Sequence, residues 1–95
     1  MDIRLPHGVY LACDIQLQKY SNERPALVIY QEDEVFLKAS VNLPEIDIPE
    51  GYICIKNWSE NEGILEELIH YGIVSYPTEF KQSGYVSVPV CKLLI

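Results

Sequence analysis

The side chains in this chain that could carry out covalent or acid–base chemistry are three cysteines, two histidines and 14 carboxylates. A thiol and an imidazole act as nucleophile and general base when they lie within hydrogen-bonding distance. Cys54 and His70 are the pair that could do this, but no pattern fixes their separation, and a buried cysteine is ordinarily a small apolar side chain. Carboxylates could act as acid and base only across a cleft, which the sequence does not indicate.

Sequence motifs for catalysis and for cofactor binding are absent. The chain has no G-x-S-x-G, P-loop, dinucleotide-binding or H-E-x-x-H motif. It has no C-x-x-C pair, and Cys13, Cys54 and Cys91 are odd in number and far apart. This spacing is typical of reduced cytosolic thiols rather than of a zinc site or a disulfide framework. We therefore predict a protein that is not an enzyme and that holds no cofactor and no metal.

The net charge of the chain argues against two classes of ligand. Seven basic residues stand against 14 acidic ones, which gives a net charge of −7. Direct binding to nucleic acid requires clustered Lys and Arg, and so does docking on an anionic membrane. A protein with a basic surface is the partner that this charge favours, because opposite potentials speed the encounter of two proteins. The alternative is that the charge only keeps a small protein soluble.

Length and hydropathy predict a single cytoplasmic domain. The 95 residues suffice for one domain, residues 1–95, and not for two. The N-terminal segment MDIRLPHGVY has no apolar stretch of the kind found in signal peptides, and no run of about 18 apolar residues could span a membrane. Apolar residues make up 48% of the chain, so we expect it to fold by itself or with a second copy.

Hydrophobic periodicity predicts six strands. Residues 9–17, VYLACDIQL, alternate between apolar and polar, which places Leu11 on the buried face and Tyr10 on the opposite, exposed face. Further strands are predicted at residues 26–30, 35–43, 52–56, 73–80 and 84–94. Pro77 and Pro89 each remove a ladder bond, so we expect edge strands or bulges there. With a helix after the fourth strand, the order is ββββαββ, an α+β domain with one helix packed on one face of a mainly antiparallel sheet.

One amphipathic helix is predicted between Ser59 and Gly72. Ser59 and Glu62 have the spacing of a capping box, and Gly72 is the residue type that ends a helix in the left-handed conformation. The apolar stripe that packs on the sheet consists of Ile64, Leu65, Leu68 and Ile69. The helical projection leaves on the outer side Gly63, Glu66, Glu67 and His70.

Three residues in this segment are not explained by capping or packing of the helix itself: Trp58, Asn61 and Gly63. Asn61 projects in line with the apolar stripe, so we expect it to bond a nearby loop backbone. An outward glycine costs a helix roughly 0.5–1 kcal/mol, so we expect another segment of the chain, or a partner, to pass close to Gly63. Trp58 lacks a side chain to pack on at position 63, which leaves the core, the glycine itself or a partner as its contact.

Most of the negative charge lies between residues 45 and 67. The acidic residues in this interval are Glu45, Asp47, Glu50, Glu60, Glu62, Glu66 and Glu67. Set against Lys56 alone, these seven carboxylates leave −6 of the total −7. A solvated face is the ordinary interpretation of such a run. If the connection at 44–51 lies beside the helix, the two segments form one acidic face for a basic partner, to which Tyr10 would add contact area.

Three stretches occur in a recognisable order: ASVNLP at 39–44, IKNWSENEGILEELIHYGIV at 55–74 and SGYVSVPVCKLL at 83–94. In this order and spacing they resemble a family of small proteins of unknown function from bacteria, phages and other mobile elements. The similarity covers roughly the last 57 residues, with Trp58 and Lys92 at its aromatic and basic positions. The resemblance implies no catalytic residues. It implies an origin in a phage or mobile element, where small acidic proteins often bind host machinery such as restriction or CRISPR effectors.

These observations leave three hypotheses of function. The first is a non-catalytic acidic interaction protein that binds and modulates a basic host protein, for example as an anti-CRISPR or anti-restriction inhibitor. The residues expected to form its surface are Trp58, Asn61, Gly63, Glu66, Glu67, His70, Glu45, Asp47, Glu50 and Tyr10. The second is a homodimeric accessory module that uses an open sheet edge. The third is a small enzyme or ligand-binding module that uses Cys54, His70 or Asn61.

Overall fold

Eight strands, one short 3-10 turn and one α-helix make up the fold, which a computed structural model describes for all of residues 1–95. The strands are β1 (Ile3–Leu5), β2 (Gly8–Tyr10), β3 (Cys13–Lys19), β4 (Pro25–Gln31), β5 (Glu34–Lys38), β6 (Tyr52–Cys54), β7 (Val74–Ser83) and β8 (Val86–Leu93). The 3-10 turn spans Ser59–Asn61, and the helix α1 spans Ile64–His70. The predicted α+β class, with mostly antiparallel strands and a single helix, is confirmed.

The strands form three antiparallel sheets rather than the single sheet expected from the sequence. Their orders are β1–β2, β3–β4–β5 and β6–β8–β7. The predicted order ββββαββ is therefore wrong, because an additional hairpin precedes the three-stranded meander. Helix α1 contacts β1 and β7, which belong to different sheets, so it does not pack on one face of one sheet.

The predicted strand at residues 9–17 is two strands, β2 and β3, separated by a sharp change of direction at Ala12. Ala12 has a φ of 54°, in the left-handed region, and its N–H donates to the Asp2 carboxylate at 3.0 Å. Hairpin β1–β2 folds back on itself instead of continuing the meander. As a result Leu11 is 61% exposed and Tyr10 packs against the core, the reverse of the prediction.

Backbone pairing beyond the ends of β5 and β6 joins the two three-stranded sheets. Ser40 and Ile55 form an antiparallel bridge, and the Lys56 N–H donates to the Ala39 carbonyl at 2.9 Å. The main core cluster consists of Ile3, Leu5, Cys13, Leu27, Ile29, Leu37, Ala39, Ile53, Ile55, Ile64, Leu68, Ile73, Val74 and Cys91. A second set of buried residues, here called the minor cluster, consists of Cys54, Val88 and Val90. Helix α1 and hairpin β1–β2 thus close the main core.

The helix begins at Ile64 and not at Ser59, so the predicted capping box with Glu62 does not form. Ser59 has a φ of 59° and lies in the 3-10 turn, which the extended residue Trp58 precedes. The first turn of α1 is instead capped from eight residues upstream, where the Asn57 side-chain oxygen accepts the Leu65 N–H at 3.0 Å. This bond satisfies one of the N–H groups that a helix leaves unpaired at its start.

The predicted end of the helix is confirmed. Gly72 has a φ of 70°, which a glycine adopts without the steric cost of a side chain. The Ile73 N–H donates to the Leu68 carbonyl at 2.9 Å, and the Gly72 N–H donates to the Ile69 carbonyl at 3.0 Å. This pair of bonds is the Schellman arrangement, which positions the chain to enter β7 directly.

The two prolines of the last hairpin occupy different environments. Pro77 lies in the edge strand β7, where the register shifts on both sides of it, as predicted. Pro89 lies in the central strand β8, so its expected place in an edge strand is wrong. Its carbonyl accepts the Ile55 N–H at 3.0 Å. Its missing N–H falls opposite Ile55, one residue beyond the end of β6 at Cys54, so no bond inside the β6–β8 ladder is lost.

Candidate functional site

A polar groove lies where hairpin β1–β2 meets the start of α1, and it is called the acidic groove below. It has a volume of about 520 Å³, and its lining is polar or charged apart from Pro6 and Gly63. The residues that line it are Arg4, Pro6, Asn57, Glu62, Gly63, Glu66 and Glu67. The groove therefore contains three of the residues expected from the sequence to form an interaction surface.

Gly63 explains why the hairpin can approach the helix so closely. Its φ of 94° is a conformation that side chains rarely adopt, and a Cβ at this position would lie 3.3 Å from the Cδ of Pro6. The expectation that another segment passes close to Gly63 is met by this chain's own β1–β2 turn. The Glu67 carboxylate adds a second contact, because it accepts the Arg4 N–H. The two contacts fix the shape of the acidic groove.

His7 joins the same turn to the 3-10 turn. Its Nε2 lies 3.0 Å from the Glu60 carbonyl, which can only accept, so Nε2 carries the proton. Its Nδ1 lies 2.6 Å from the Tyr10 hydroxyl. The Tyr10 ring packs on Phe36 with a centroid distance of 4.4 Å. Tyr10 is therefore a half-buried structural residue, and the prediction that it lies on the exposed face is wrong.

The carboxylates of the acidic groove differ in how they are paired. Glu62 and Glu66 are exposed, and their carboxylates make no hydrogen bond or ion pair within the chain. Glu67 is half-buried, and its carboxylate accepts the Arg4 N–H. The Arg4 guanidinium also has no ion-pair partner. Three carboxylates and one guanidinium leave a charge of −2 at the groove. A cationic group from outside the chain is what this set of side chains can bind.

The Glu60 carboxylate, just outside the groove, already forms an ion pair within the chain. Its carboxylate lies 2.7 Å from the Lys56 ammonium, four residues earlier. This hydrogen bond is the main cause that lowers the pKa of Glu60. The unpaired negative charge of the segment is therefore concentrated on Glu62 and Glu66.

Asn61 and Trp58, two other predicted contact residues of this segment, do not line the acidic groove. Asn61 is 1% exposed, and its side-chain amide donates to the Lys38 carbonyl at 2.7 Å. The expected bond to backbone thus forms, at the end of β5, but a buried Asn61 cannot contact a partner. Trp58 is half-buried and packs on the minor cluster. Of the three contacts considered for it, the core, Gly63 and a partner, the structure shows the first.

His70 and the acidic connection at 44–51 do not line the acidic groove. His70 is exposed at the other end of α1, edge-on to Tyr71 at a centroid distance of 4.9 Å. Glu45, Asp47 and Glu50 are all exposed. Glu45 lines a depression with Ser83, and Glu50 lines another with residues 22–25, and neither depression shares a residue with the acidic groove. The acidic segments therefore line separate parts of the surface.

The cysteines are placed as buried apolar side chains. Cys54 adjoins a space of only about 10 Å³, and no hydrogen bond joins it to His70. Burial raises the pKa of the Cys13 and Cys54 thiols, and it raises the pKa of Cys91 to about 11. A raised pKa keeps each thiol protonated at neutral pH, the opposite of an activated nucleophile. No group of three or more His, Cys, Asp or Glu side chains could hold a metal ion.

Four residues that shape the acidic groove, Arg4, Pro6, His7 and Asn57, were not indicated by the sequence. Their contacts join segments about 50 residues apart or, for Asn57, a side chain to a helix that starts later than expected. No helix of this chain combines the length and the apolar character needed to cross a bilayer. No protein-family model, curated protein or solved structure matches the chain.

Proposed function

We propose that this chain is a non-catalytic interaction protein whose acidic groove binds a basic side chain on the surface of another protein. The observation that carries the proposal is the pair Glu62 and Glu66, two exposed carboxylates without a partner in a groove shaped by the packing of Pro6 on Gly63. A partner's Arg or Lys would supply the missing positive charge. Arg fits best, because its planar fork can bond two carboxylate oxygens at once.

The shape of the groove supports this proposal. Its volume of about 520 Å³ lies in the range of about 300–1,000 Å³ that is usual for binding pockets. Glu67 is tied to the Arg4 backbone and Gly63 is packed on Pro6, so two of its walls are in place before any partner arrives. A preorganised groove loses little conformational freedom on binding, which favours affinity.

The net charge supports the same class of partner. A charge of −7 creates a long-range field that accelerates the encounter with a basic protein and weakens as salt is added. Nucleic-acid-processing proteins present basic surfaces, so an acidic protein can compete for the surface that ordinarily holds nucleic acid.

The resemblance to small proteins of phages and mobile elements narrows the proposal. It favours a host protein as the partner, and modulation of a defence system, such as a CRISPR or restriction effector, as the consequence of binding. Under this proposal the protein acts in the cytoplasm, where such effectors work.

Comparative affinity capture from host lysate tests the proposal. The groove variant Glu62→Lys/Glu66→Lys is compared with Glu45→Lys/Asp47→Lys, which changes the net charge equally at exposed positions outside the groove. We expect wild type and the second variant to retain the same basic protein at low salt, and the groove variant to lose it. Equal capture by all three proteins, or capture that high salt does not weaken, would overturn the proposal.

A further inference from the structure

Strand β7 leaves one of its two edges open. It spans ten residues, Val74–Ser83, and it is the last strand of the sheet β6–β8–β7. An open edge presents backbone N–H and C=O groups that can pair with another strand. The strand that can pair with β7 is determined by which of its backbone groups face outward.

The pairing with β8 identifies the groups that face outward. Pro89 lies opposite Phe80, and its carbonyl accepts the Ile55 N–H on the β6 side. Because the N and O atoms of one strand residue point the same way, the Phe80–Pro89 pair exchanges no backbone bonds. The Phe80 N–H and C=O therefore point toward the open edge, and Gln82, two residues on, repeats this orientation.

Strand β7 exposes aromatic side chains and half-buries its charged ones, the opposite of an ordinary surface strand. Aromatic rings are exposed on its outer face: Tyr76 is 76% and Phe80 60% exposed, and Tyr85 follows at the turn, fully exposed. Its charged residues, Glu79 and Lys81, lie half-buried on the other face, where they form an ion pair of 3.0 Å. Exposed aromatic rings next to an open edge favour burial by another chain.

We infer that β7 pairs in antiparallel orientation with β7 of a second copy, about a two-fold axis at Phe80. Phe80 then faces Phe80 of the second copy, and the two residues exchange both backbone hydrogen bonds. Glu79 faces Lys81 of the second copy, and Lys81 faces its Glu79. Opposite charges at directly opposed positions stabilise a strand pair, and the aromatic side chains of Phe80 stack across it.

Charge complementarity selects this register among the neighbouring ones. An axis at Lys81 would place two lysines directly opposite each other, and an axis at Glu79 would oppose two carboxylates. The register shifts on both sides of Pro77 leave Thr78 without a partner on β8, so regular pairing about the axis is confined to about residues 79–81 and the dimer is weak and reversible.

A two-fold pair of this kind closes on itself and does not grow into fibres. Each copy uses its only open edge in this sheet, because β6 on the opposite side is already joined to the chain at Ser40–Ile55. An isologous contact of one patch with itself gives a dimer and stops there. This inference does not depend on the acidic groove, which lies at the start of α1.

Sedimentation equilibrium on three single variants and one mixture tests the pairing. Glu79→Lys and Lys81→Glu each turn both cross-strand charge pairs into like-charge pairs, so each variant alone should dimerise roughly tenfold more weakly than wild type. The mixture of the two restores opposite charges across the axis, and it should dimerise about as well as wild type. Asp14→Lys, on the edge strand β3, is the control that should leave dimerisation unchanged.

Thermal melting of each variant shows that the monomer fold persists. Wild type that remains monomeric up to sub-millimolar concentration would overturn the inference. The inference would also be overturned if neither single charge reversal weakened dimerisation, or if the mixture dimerised no better than its components. If the groove variant Glu62→Lys/Glu66→Lys loses its partner but still dimerises, the two proposals are shown to be independent.

Discussion

The packing of Pro6 on Gly63 in the acidic groove leads to a quantitative prediction for Gly63→Ala. A non-glycine residue held in the left-handed region costs roughly 1–2 kcal/mol, and Gly63 has a φ of 94°. The new Cβ would lie 3.3 Å from the Pro6 Cδ, so the β1–β2 turn must shift, which adds about 1 kcal/mol, the low end of the cost of overpacking. We expect Gly63→Ala to lower the free energy of unfolding by about 2–3 kcal/mol.

Gly51 is the matched control, because its backbone conformation is similar and its surroundings are open. Its φ is 83°, and nothing lies within 4 Å of the position that a Cβ would occupy. Gly51→Ala should therefore show the conformational cost of roughly 1–2 kcal/mol alone. Urea unfolding of both variants, followed by circular dichroism, measures the two free energies, provided that the slope with urea is unchanged.

The Pro6→Ala background separates the contact from the conformation. Removing the proline ring should abolish the extra cost of Gly63→Ala, so that the Gly63 and Gly51 substitutions become equivalent. If Gly63→Ala costs no more than Gly51→Ala in the wild-type background, the packing of the turn on Gly63 is not what shapes the groove. If it costs nothing at all, the left-handed conformation is not required.

Three further predictions concern the fold. Asn61→Ala should lower the free energy of unfolding by about 1–3 kcal/mol, because the Lys38 carbonyl loses its partner. A urea unfolding curve measures this free energy, and an unchanged midpoint would contradict the prediction. Glu32→Asn with Asp33→Gly should raise the unfolding free energy by about 1 kcal/mol, because both residues have positive φ in the β4–β5 turn; a lower melting temperature contradicts it. The pKa of Cys91 is raised by burial from 9.0 to about 11. The contribution of this thiol to the free energy of unfolding is therefore complete below pH 9.0 and is lost as the pH rises toward about 11. Unfolding curves across that interval should show a smaller decline for Cys91→Ala than for wild type, and equal declines would contradict the assignment.

The features that sequence analysis predicted well are those decided by residues close together in the chain. The end of α1 is an example, because Gly72 and the bonds to Leu68 and Ile69 all lie within one helical turn. The bond from Asn61 to a nearby backbone was also expected, although it joins residues 23 positions apart and Asn61 lies in the 3-10 turn and not on the helix. The α+β class followed from the alternation of apolar residues in the longer strands.

The features that sequence analysis missed are decided by contacts between distant residues. Strand 9–17 breaks at Ala12, where the N–H donates to the Asp2 carboxylate ten residues earlier in the chain. Three-residue strands such as β1 are too short to show a period. The start of α1 moves to Ile64 because Gly63 adopts a left-handed conformation against Pro6, and propensity alone cannot reveal that contact.

The candidate site was predicted in part for the same reason. Glu66, Glu67 and Gly63 were recognised as outward-facing, and the structure places all three in the acidic groove. Arg4 and Pro6 complete the groove from a hairpin nearly 60 residues away, which no local pattern connects to the helix. The charge of 45–67 suggested one acidic face, but the connection at 44–51 lines other depressions.

The measurement that tests the central claim most directly is the dissociation constant of the captured basic partner for three purified variants, at low and at high salt. Glu62→Lys/Glu66→Lys should weaken binding by at least about tenfold and flatten its dependence on salt. Glu45→Lys/Asp47→Lys, with the same charge change, should lose less than about threefold. Arg4→Gln, which removes the only cation of the groove, should strengthen binding. Equal weakening by the two double variants, or no gain from Arg4→Gln, would contradict binding through the acidic groove.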